Sequence, residues 1–243
     1  MFFWNGNTSG QASYRTMNLA IFGGENWTSS PITGTIPAYG SGSTTSSGNY
    51  WTSSAVVNDS KVFIASSFNE FGYYVHEVNA DGSLTTIVNN FIPDGAKLGL
   101  PGNLQLKEGP DGLLYTLAAV QAGDTGTMQI FTVDQSAKTL KTYGAGIPVS
   151  IGSSGSISQD FGFAVNPVTG LVVAAYDSAE GNTVFAYLDD NLQWSNFTTD
   201  SLPVGKSAFY VAFDKDGNGY IAYQSADAIE LYSVGLEADI LPE

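Results

Sequence analysis

The sequence predicts an all-β fold, a β-propeller of about five four-stranded antiparallel blades. Three observations predict it: a composition rich in glycine and aromatics but poor in charge, a hairpin pattern that recurs along the chain, and a further apolar strand after each hairpin. Of the 243 residues, 43% are hydrophobic and only 13% charged. A typical charged share is about a quarter, so Ser, Thr, Asn, Gln and Gly must supply the polar surface. With 28 Gly, 13 Tyr and 14 Phe, the chain suits strands joined by tight turns. Helices would draw on Ala, Leu, Glu, Lys and Arg. The length fits one all-β domain.

The recurring hairpin occupies residues 54–66, 104–117, 163–175 and 210–223. Each copy is an apolar run, a turn of Asn, Asp, Pro or Gly, and a second apolar run, which is the signature of a β-hairpin. The turn positions Ser60, Gly112, Gly170 and Gly219 recur roughly 50 to 60 residues apart, the size of a propeller blade. Third strands are expected at 73–78, 128–133, 184–188 and 229–234. Turns at 79–82, 134–137 and 189–191 then lead into fourth strands such as 84–88 and 192–197.

This pattern divides the chain into approximate blades 1–52, 53–100, 101–155, 156–205 and 206–243, all within a single domain. In the first blade, residues 1–8 read as a second strand and 13–22 as a third. Gly23-Gly24-Glu25-Asn26-Trp27 turns into a fourth. The first strand is then supplied by residues 236–243, which would close the ring and remove exposed edges, or by upstream sequence. The start has no charged region and too short an apolar run for a signal peptide, so a leader removed from the chain is expected. The Gly/Ser/Thr-rich stretches 38–48 and 150–158 read as surface loops rather than domain boundaries.

Charge excludes several functions. The net charge is −15, with eight Lys plus Arg, and Arg15 is the single arginine. Neutralising phosphates needs clustered cations, so nucleic acid and anionic membrane surfaces are excluded as partners. No apolar stretch is long enough to insert as a spanning helix. There is no Cys and a single histidine, which removes disulfides, thiol nucleophiles, Cys metal sites and His-based triads. That histidine, His76, lies mid-strand and reads as a packed or surface residue. No Gly-rich loop precedes a helix, so no phosphate cradle is expected. Four Asn-x-Ser/Thr patterns, at Asn7, Asn26, Asn58 and Asn196, match at a frequency this composition gives by chance.

Residues 214–221, Asp-Lys-Asp-Gly-Asn-Gly-Tyr-Ile, resemble the calcium loop of the EF-hand family. The resemblance implies calcium held by Asp214, Asp216, Asn218 and the Tyr220 carbonyl. The twelfth position, a bidentate Glu in that family, is Ser225, and the flanks have strand rather than helix character. The same residues, in the same repeat register, also read as a plain hairpin turn, and no other cofactor is expected. Residues 22–28, Phe-Gly-Gly-Glu-Asn-Trp-Thr, and 79–85, Asn-Ala-Asp-Gly-Ser-Leu-Thr, resemble the Asp-box turn of sialidase-like propellers. That resemblance implies a propeller fold. Sialidase chemistry would need several arginines to pair with the substrate carboxylate.

Two function classes remain. The first is a non-catalytic binding module on the cell surface, outside the cell or in the periplasm, recognising a glycan or a protein. Trp27, Trp51, Tyr50, Asn26 and Tyr73 are its candidate ligand residues, because aromatic faces stack on sugar rings while amides take the hydroxyls. Trp4, Trp194, Tyr14 and Tyr39 belong to the same set, against the reading that such aromatics fill wedges between blades. The second class is a glycoside hydrolase or lyase using a carboxylate pair, drawn from Glu70, Asp124, Asp160, Asp177, Glu180 and Asp227. A third reading is a structural repeat domain of a larger surface protein.

Overall fold

The structure, a computed structural model, describes residues 2–6, 16–22, 27–31, 52–58, 61–68, 72–79, 81, 83–91, 97–98, 105–122, 125–149, 161–177, 183–196, 209–224 and 229–234. Among them, twenty strands form five sheets. The first sheet is β1 (Phe2–Gly6), β2 (Thr16–Phe22) and β3 (Trp27–Pro31). The second is β4 (Thr52–Asn58), β5 (Lys61–Phe68), β6 (Gly72–Val78) and β7 (Leu84–Phe91). The third is β8 (Lys97–Leu98), β9 (Gln105–Glu108), β10 (Leu114–Ala122), β11 (Thr125–Asp134), β12 (Thr139–Thr142) and β13 (Ile147–Val149). The fourth is β14 (Phe161–Val165), β15 (Val172–Asp177), β16 (Thr183–Leu188) and β17 (Trp194–Asn196), and the fifth is β18 (Phe209–Phe213), β19 (Gly219–Gln224) and β20 (Ile229–Val234).

Each sheet is an antiparallel meander in chain order, as short connections between successive strands require. The third sheet has six strands but the plan of four. Both β8 and β9 lie along β10, pairing Leu98 with Val120 and Glu108 with Leu114. They are two halves of one first strand. Likewise β12 and β13 share β11, pairing Leu140 with Val133 and Ile147 with Met128. The break between them is held by Gln129, whose side-chain amide donates to the Gly144 carbonyl at 3.1 Å. A side chain at Gly146 would put its Cβ 2.1 Å from the Thr127 methyl, so only glycine fits there.

The first strands stand side by side: β4 beside β9, β9 beside β14, β14 beside β18. The sheets therefore stack face to face around these strands, as propeller blades do. Inner sheets must bury both faces, and their strands read as unbroken apolar runs rather than alternating ones. All five residues of β14 are buried. Phe63, Ala65, Tyr73 and Val75 of the second sheet pack on Leu106, Leu114, Phe131 and Val133 of the third. The other face of the third sheet, with Tyr115, Leu117 and Ile130, packs on Phe163, Val172 and Leu188. Ala164, Val173 and Phe185 then meet Val211 and Ile221 of the fifth sheet.

Polar groups cross each of these boundaries. The Tyr73 hydroxyl, on a fully buried side chain, pairs with the Thr116 hydroxyl of the third sheet. Thr116 in turn donates to the Gln105 carbonyl at 2.9 Å. The Gln105 side chain reaches the fourth sheet, donating to the Phe161 carbonyl at 3.2 Å and accepting from the Phe163 amide at 3.4 Å. Further along, Asn166 donates to the Gly217 carbonyl of the fifth sheet at 3.1 Å.

Two stability predictions follow from this geometry. Thr116→Val leaves the buried Tyr73 hydroxyl without its partner and should destabilise by about 1–3 kcal/mol. Tyr73→Phe removes the donor itself and should cost less. Thermal denaturation checks the order, since about 1 kcal/mol shifts Tm by roughly 2–4 °C in a chain of this size. Gly217 has φ +86°, and a Cβ there would lie 3.1 Å from Asn166 Oδ1. Gly217→Ala should therefore cost at least the roughly 1–2 kcal/mol of a left-handed non-glycine residue, read from the urea midpoint.

Candidate functional site

A four-stranded meander sends its first-to-second and third-to-fourth turns to one end. The second-to-third connections and the starts of the first strands go to the other. The turn end is built from Asx turns, in which a side-chain oxygen closes the loop on its own backbone. Asp111 accepts from the Leu113 amide at 3.0 Å and Asn166 from the Val168 amide at 2.8 Å. Asp134 takes the Ser136 and Ala137 amides at 3.0 and 2.8 Å. Asp189 takes the Asn191 and Gln193 amides at 2.9 and 2.8 Å. Asp81 takes the Ser83 amide at 2.9 Å and its hydroxyl at 2.6 Å.

Asp214, the leading residue of the calcium-loop resemblance, belongs to this set. Its Oδ1 accepts from the Asp216 and Asn218 amides, both at 2.9 Å, and its Oδ2 from the Asn218 side-chain amide at 2.8 Å. Asp216 instead faces the Lys215 ammonium at 2.7 Å. The residue pattern is thus arranged as a hairpin turn joining β18 to β19, with the Asp214 oxygens engaged inside the turn. Among the described residues, no group of three or more His, Asp or Glu is positioned to hold a metal ion.

The hydrogen bonds set the acidity of these turns. Bonds from Asn218 hold the Asp214 carboxyl below the usual carboxylate range. Ser83 does the same for Asp81. The Ala137 amide and the Lys141 ammonium, 2.6 Å away, lower Asp134.

Most of the remaining ligand and acid–base candidates fall, in the sequence, just before first strands or in second-to-third connections. Tyr50 and Trp51 immediately precede β4, whose first residue, Thr52, pairs with Ser67 near the end of β5. Glu70 lies in the next connection. Asp160 immediately precedes Phe161, which pairs with Tyr176, the residue before Asp177. Asp124 sits in the two-residue link bounded by the Ala122–Thr125 pair, and Asp227 between Gln224 and Ile229. Asn26, Tyr50, Trp51, Glu70, Asp124, Asp160, Glu180 and Asp227 lie outside the described residues, as do Tyr14 and Tyr39. Trp27 begins β3 opposite Phe22, so with Asn26 it borders the β2–β3 turn. On the reading of β1–β3 as second to fourth strands, that turn is a third-to-fourth connection.

Several sequence candidates have structural surroundings. Tyr73, expected at a ligand face, is in the core instead, because β6 is buried on both sides. Burial pushes its phenol pKa well up. Trp194 is a wedge between blades: half-buried, it donates its indole N–H to the Ala145 carbonyl at 2.7 Å. His76 is buried, with Nδ1 3.3 Å from the Thr86 hydroxyl, Nε2 without a partner, and its ring stacked against Tyr74. Burial lowers its pKa, so the ring is held neutral. The residues that sequence reasoning passed over are the blade-crossing groups Gln105, Thr116 and Asn166. Their partners in the next blade lie 43 to 58 residues away, so nothing local marks the crossing.

No protein-family model matches the sequence, and comparison with curated proteins finds no relative. Solved structures do match by fold. The fucose-specific lectin from Aleuria aurantia superposes with a TM-score of 0.56 at 13% identity, over 92% of this chain and 72% of that one. The endo-arabinase from Bacteroides thetaiotaomicron gives 0.50 at 12% identity, over 92% and 90%. The intramolecular trans-sialidase from Ruminococcus gnavus gives 0.50 at 12% identity, over 90% of this chain but only 48% of that one.

The depressed carboxyls at the turn end predict acid sensitivity. A folded-state pKa below the unfolded value contributes stability above the unfolded pKa, about 3.9 for Asp, and that stability is lost as pH falls through the folded value. Asp134→Asn keeps the Asx turn, as Asn166 does naturally, but removes the titrating group and its ion pair. Urea midpoints measured from pH 5 to pH 2 should fall less steeply in this variant than in the parent chain. At identities this low the superpositions establish architecture alone, and the chain is an all-β propeller.

Proposed function

We propose that this chain is a carbohydrate-recognising propeller, a non-catalytic module working outside the cell, on its surface or in the periplasm. The observation that carries the reading is the difference between the two ends. At the turn end the described carboxylates are engaged within their own loops. The segments that lead into the first strands or join the second to the third carry, in the sequence, Tyr50 and Trp51 with Glu70, Asp124, Asp160, Asp177 and Asp227. That is the mixture of aromatic faces and hydroxyl acceptors that sugars use. The fold resemblance supports the same class, since one similar structure is a fucose-specific lectin and another an endo-arabinase. A net charge of −15 with eight cations argues for a neutral or cationic ligand and against nucleic acid. No helix of the described residues is long and apolar enough to cross a membrane.

One observation favours hydrolase or lyase chemistry as a second reading. Asp160 precedes Phe161 in the chain, and Phe161 pairs with Tyr176, the residue before Asp177. A carboxylate pair is the raw material of glycosidic cleavage.

Glycan-array binding separates these readings. Trp51→Ala and Tyr50→Ala should each weaken binding about tenfold, the equivalent of about 1.4 kcal/mol, while Trp27→Ala leaves it unchanged. Loss with Trp27→Ala alone would move the site to the turn end. Wild-type protein that retains no glycan sinks the carbohydrate reading in favour of a protein ligand or a structural repeat. Release of reducing sugars from a polysaccharide panel, lost in Asp160→Asn and Asp177→Asn, would make the chain an enzyme.

A further inference from the structure

Phe161 and Tyr176 stand opposite each other on β14 and β15. Phe161 begins β14 and Tyr176 is one residue from the end of β15, so the pair lies at the end away from the Asx turns. Their rings stack with centroids 5.6 Å apart and planes 16° from parallel. Strand alternation turns both toward the third sheet, on the face where Phe163, Val172 and Ala174 pack. Phe161 is buried and Tyr176 half-buried.

A tyrosine used only as filler leaves its hydroxyl to be satisfied, and this fold satisfies such groups elsewhere. Tyr73 pairs with Thr116, Tyr115 donates to Asp111 at 2.8 Å, and Tyr232 donates to Glu230 at 2.9 Å. The Tyr176 hydroxyl has no such partner among the described residues, and burial alone raises its phenol pKa. At neutral pH it is therefore a protonated hydroxyl, able to donate and to accept. Phe would fill the same wedge without leaving a polar group to satisfy.

The ring is also held from behind. The Phe161 carbonyl accepts from the Gln105 side chain at 3.2 Å, and the Phe163 amide donates to it at 3.4 Å. The third sheet continues past this level. Its β10 pairs Leu117 with Gln105 and runs on to Ala122, while β14 begins at Phe161. Since Val120 packs toward the second sheet, alternation puts the half-buried Gln121 on the face toward the fourth. A carboxamide and a phenol thus belong to the two facing sheet surfaces at this end.

We propose that Tyr176 is a ligand contact of the carbohydrate site, its hydroxyl exchanging a hydrogen bond with a hydroxyl of a neutral sugar while Phe161 and Gln105 hold its ring in place. The assignment rests on the carbohydrate reading and adds to it a contact on a strand. A ring already stacked loses little side-chain freedom when it binds.

The probe is the oligosaccharide that the wild-type chain retains most strongly on a glycan array, with Kd then measured by titration calorimetry. Tyr176→Phe keeps the ring and removes the hydroxyl, and should raise Kd about three- to tenfold. Tyr220→Phe removes a turn-end hydroxyl 3.4 Å from Asp214 and should leave Kd unchanged. An unchanged Kd in Tyr176→Phe, or an equal rise in Tyr220→Phe, overturns the assignment and leaves the carbohydrate reading standing. A wild-type chain that retains no oligosaccharide overturns both. If circular dichroism shows that Tyr176→Phe does not fold, 3-fluorotyrosine in place of Tyr176 gives the second measurement. Its fluorine resonance should shift on addition of the oligosaccharide, and an unmoved resonance overturns the assignment.

Discussion

Gln105 shows the constraint on which the rest of this architecture depends. A blade with neighbours on both faces has no solvent on either side to satisfy a polar group, so a polar side chain inside must find its partner in its own blade or the next. The Gln105 side chain behaves like an extra peptide unit. It offers its amide N–H to the Phe161 carbonyl and its oxygen to the Phe163 amide. Its own carbonyl receives Thr116, which receives Tyr73. The chain of bonds therefore runs through three blades and fixes their height relative to one another, which apolar contacts alone leave free to slide. Asn166 does the same between the fourth and fifth sheets at the level of the turns.

From that stacking follows the division between the two ends. Turns packed beside one another must be short and self-satisfied. The Asx closures at Asp81, Asp111, Asp134, Asn166, Asp189 and Asp214 meet this need. Gly170 packs on Pro110, and Gly217 on Asn166, so one blade's turn shapes the next. An end built this way has little chemistry left to offer. The connections at the other end carry no such obligation, and sequence there is free to supply aromatics and carboxylates. Function on a rigid repeat collects on the loops for this reason.

What was legible in the sequence is what is local. A hairpin turn announces itself through Asp, Asn and Gly within a few residues. Thus the turns at Asp134 and Asp189 and the strand Ile229–Val234 stand where the pattern expects them. The third sheet was less legible. The division of its fourth strand into β12 and β13 rests on side-chain contacts of Gln129 and Thr127 that have no local signature. Tyr73 illustrates a different limit. In a strand buried on both faces, Tyr73, Tyr74, Val75 and His76 are all core residues, so alternation gives no polar face to contrast with an apolar one. An aromatic beside a strand end then looks the same whether it stacks on a ligand or fills a blade interface. Trp194 proved to be the latter through a single hydrogen bond to Ala145.

The same physics explains how propellers with 12 to 13% identity share this fold. Few of the requirements specify a residue. The strands need apolar side chains of about the right size on both faces. The turns need an Asx oxygen and often a glycine at the left-handed position, as at Gly112, Gly170 and Gly217. The blade-crossing bonds need any amide or hydroxyl that reaches. Each demand is met by several residue types, so sequences drift apart while the stack persists. A function is therefore not inherited with the blades.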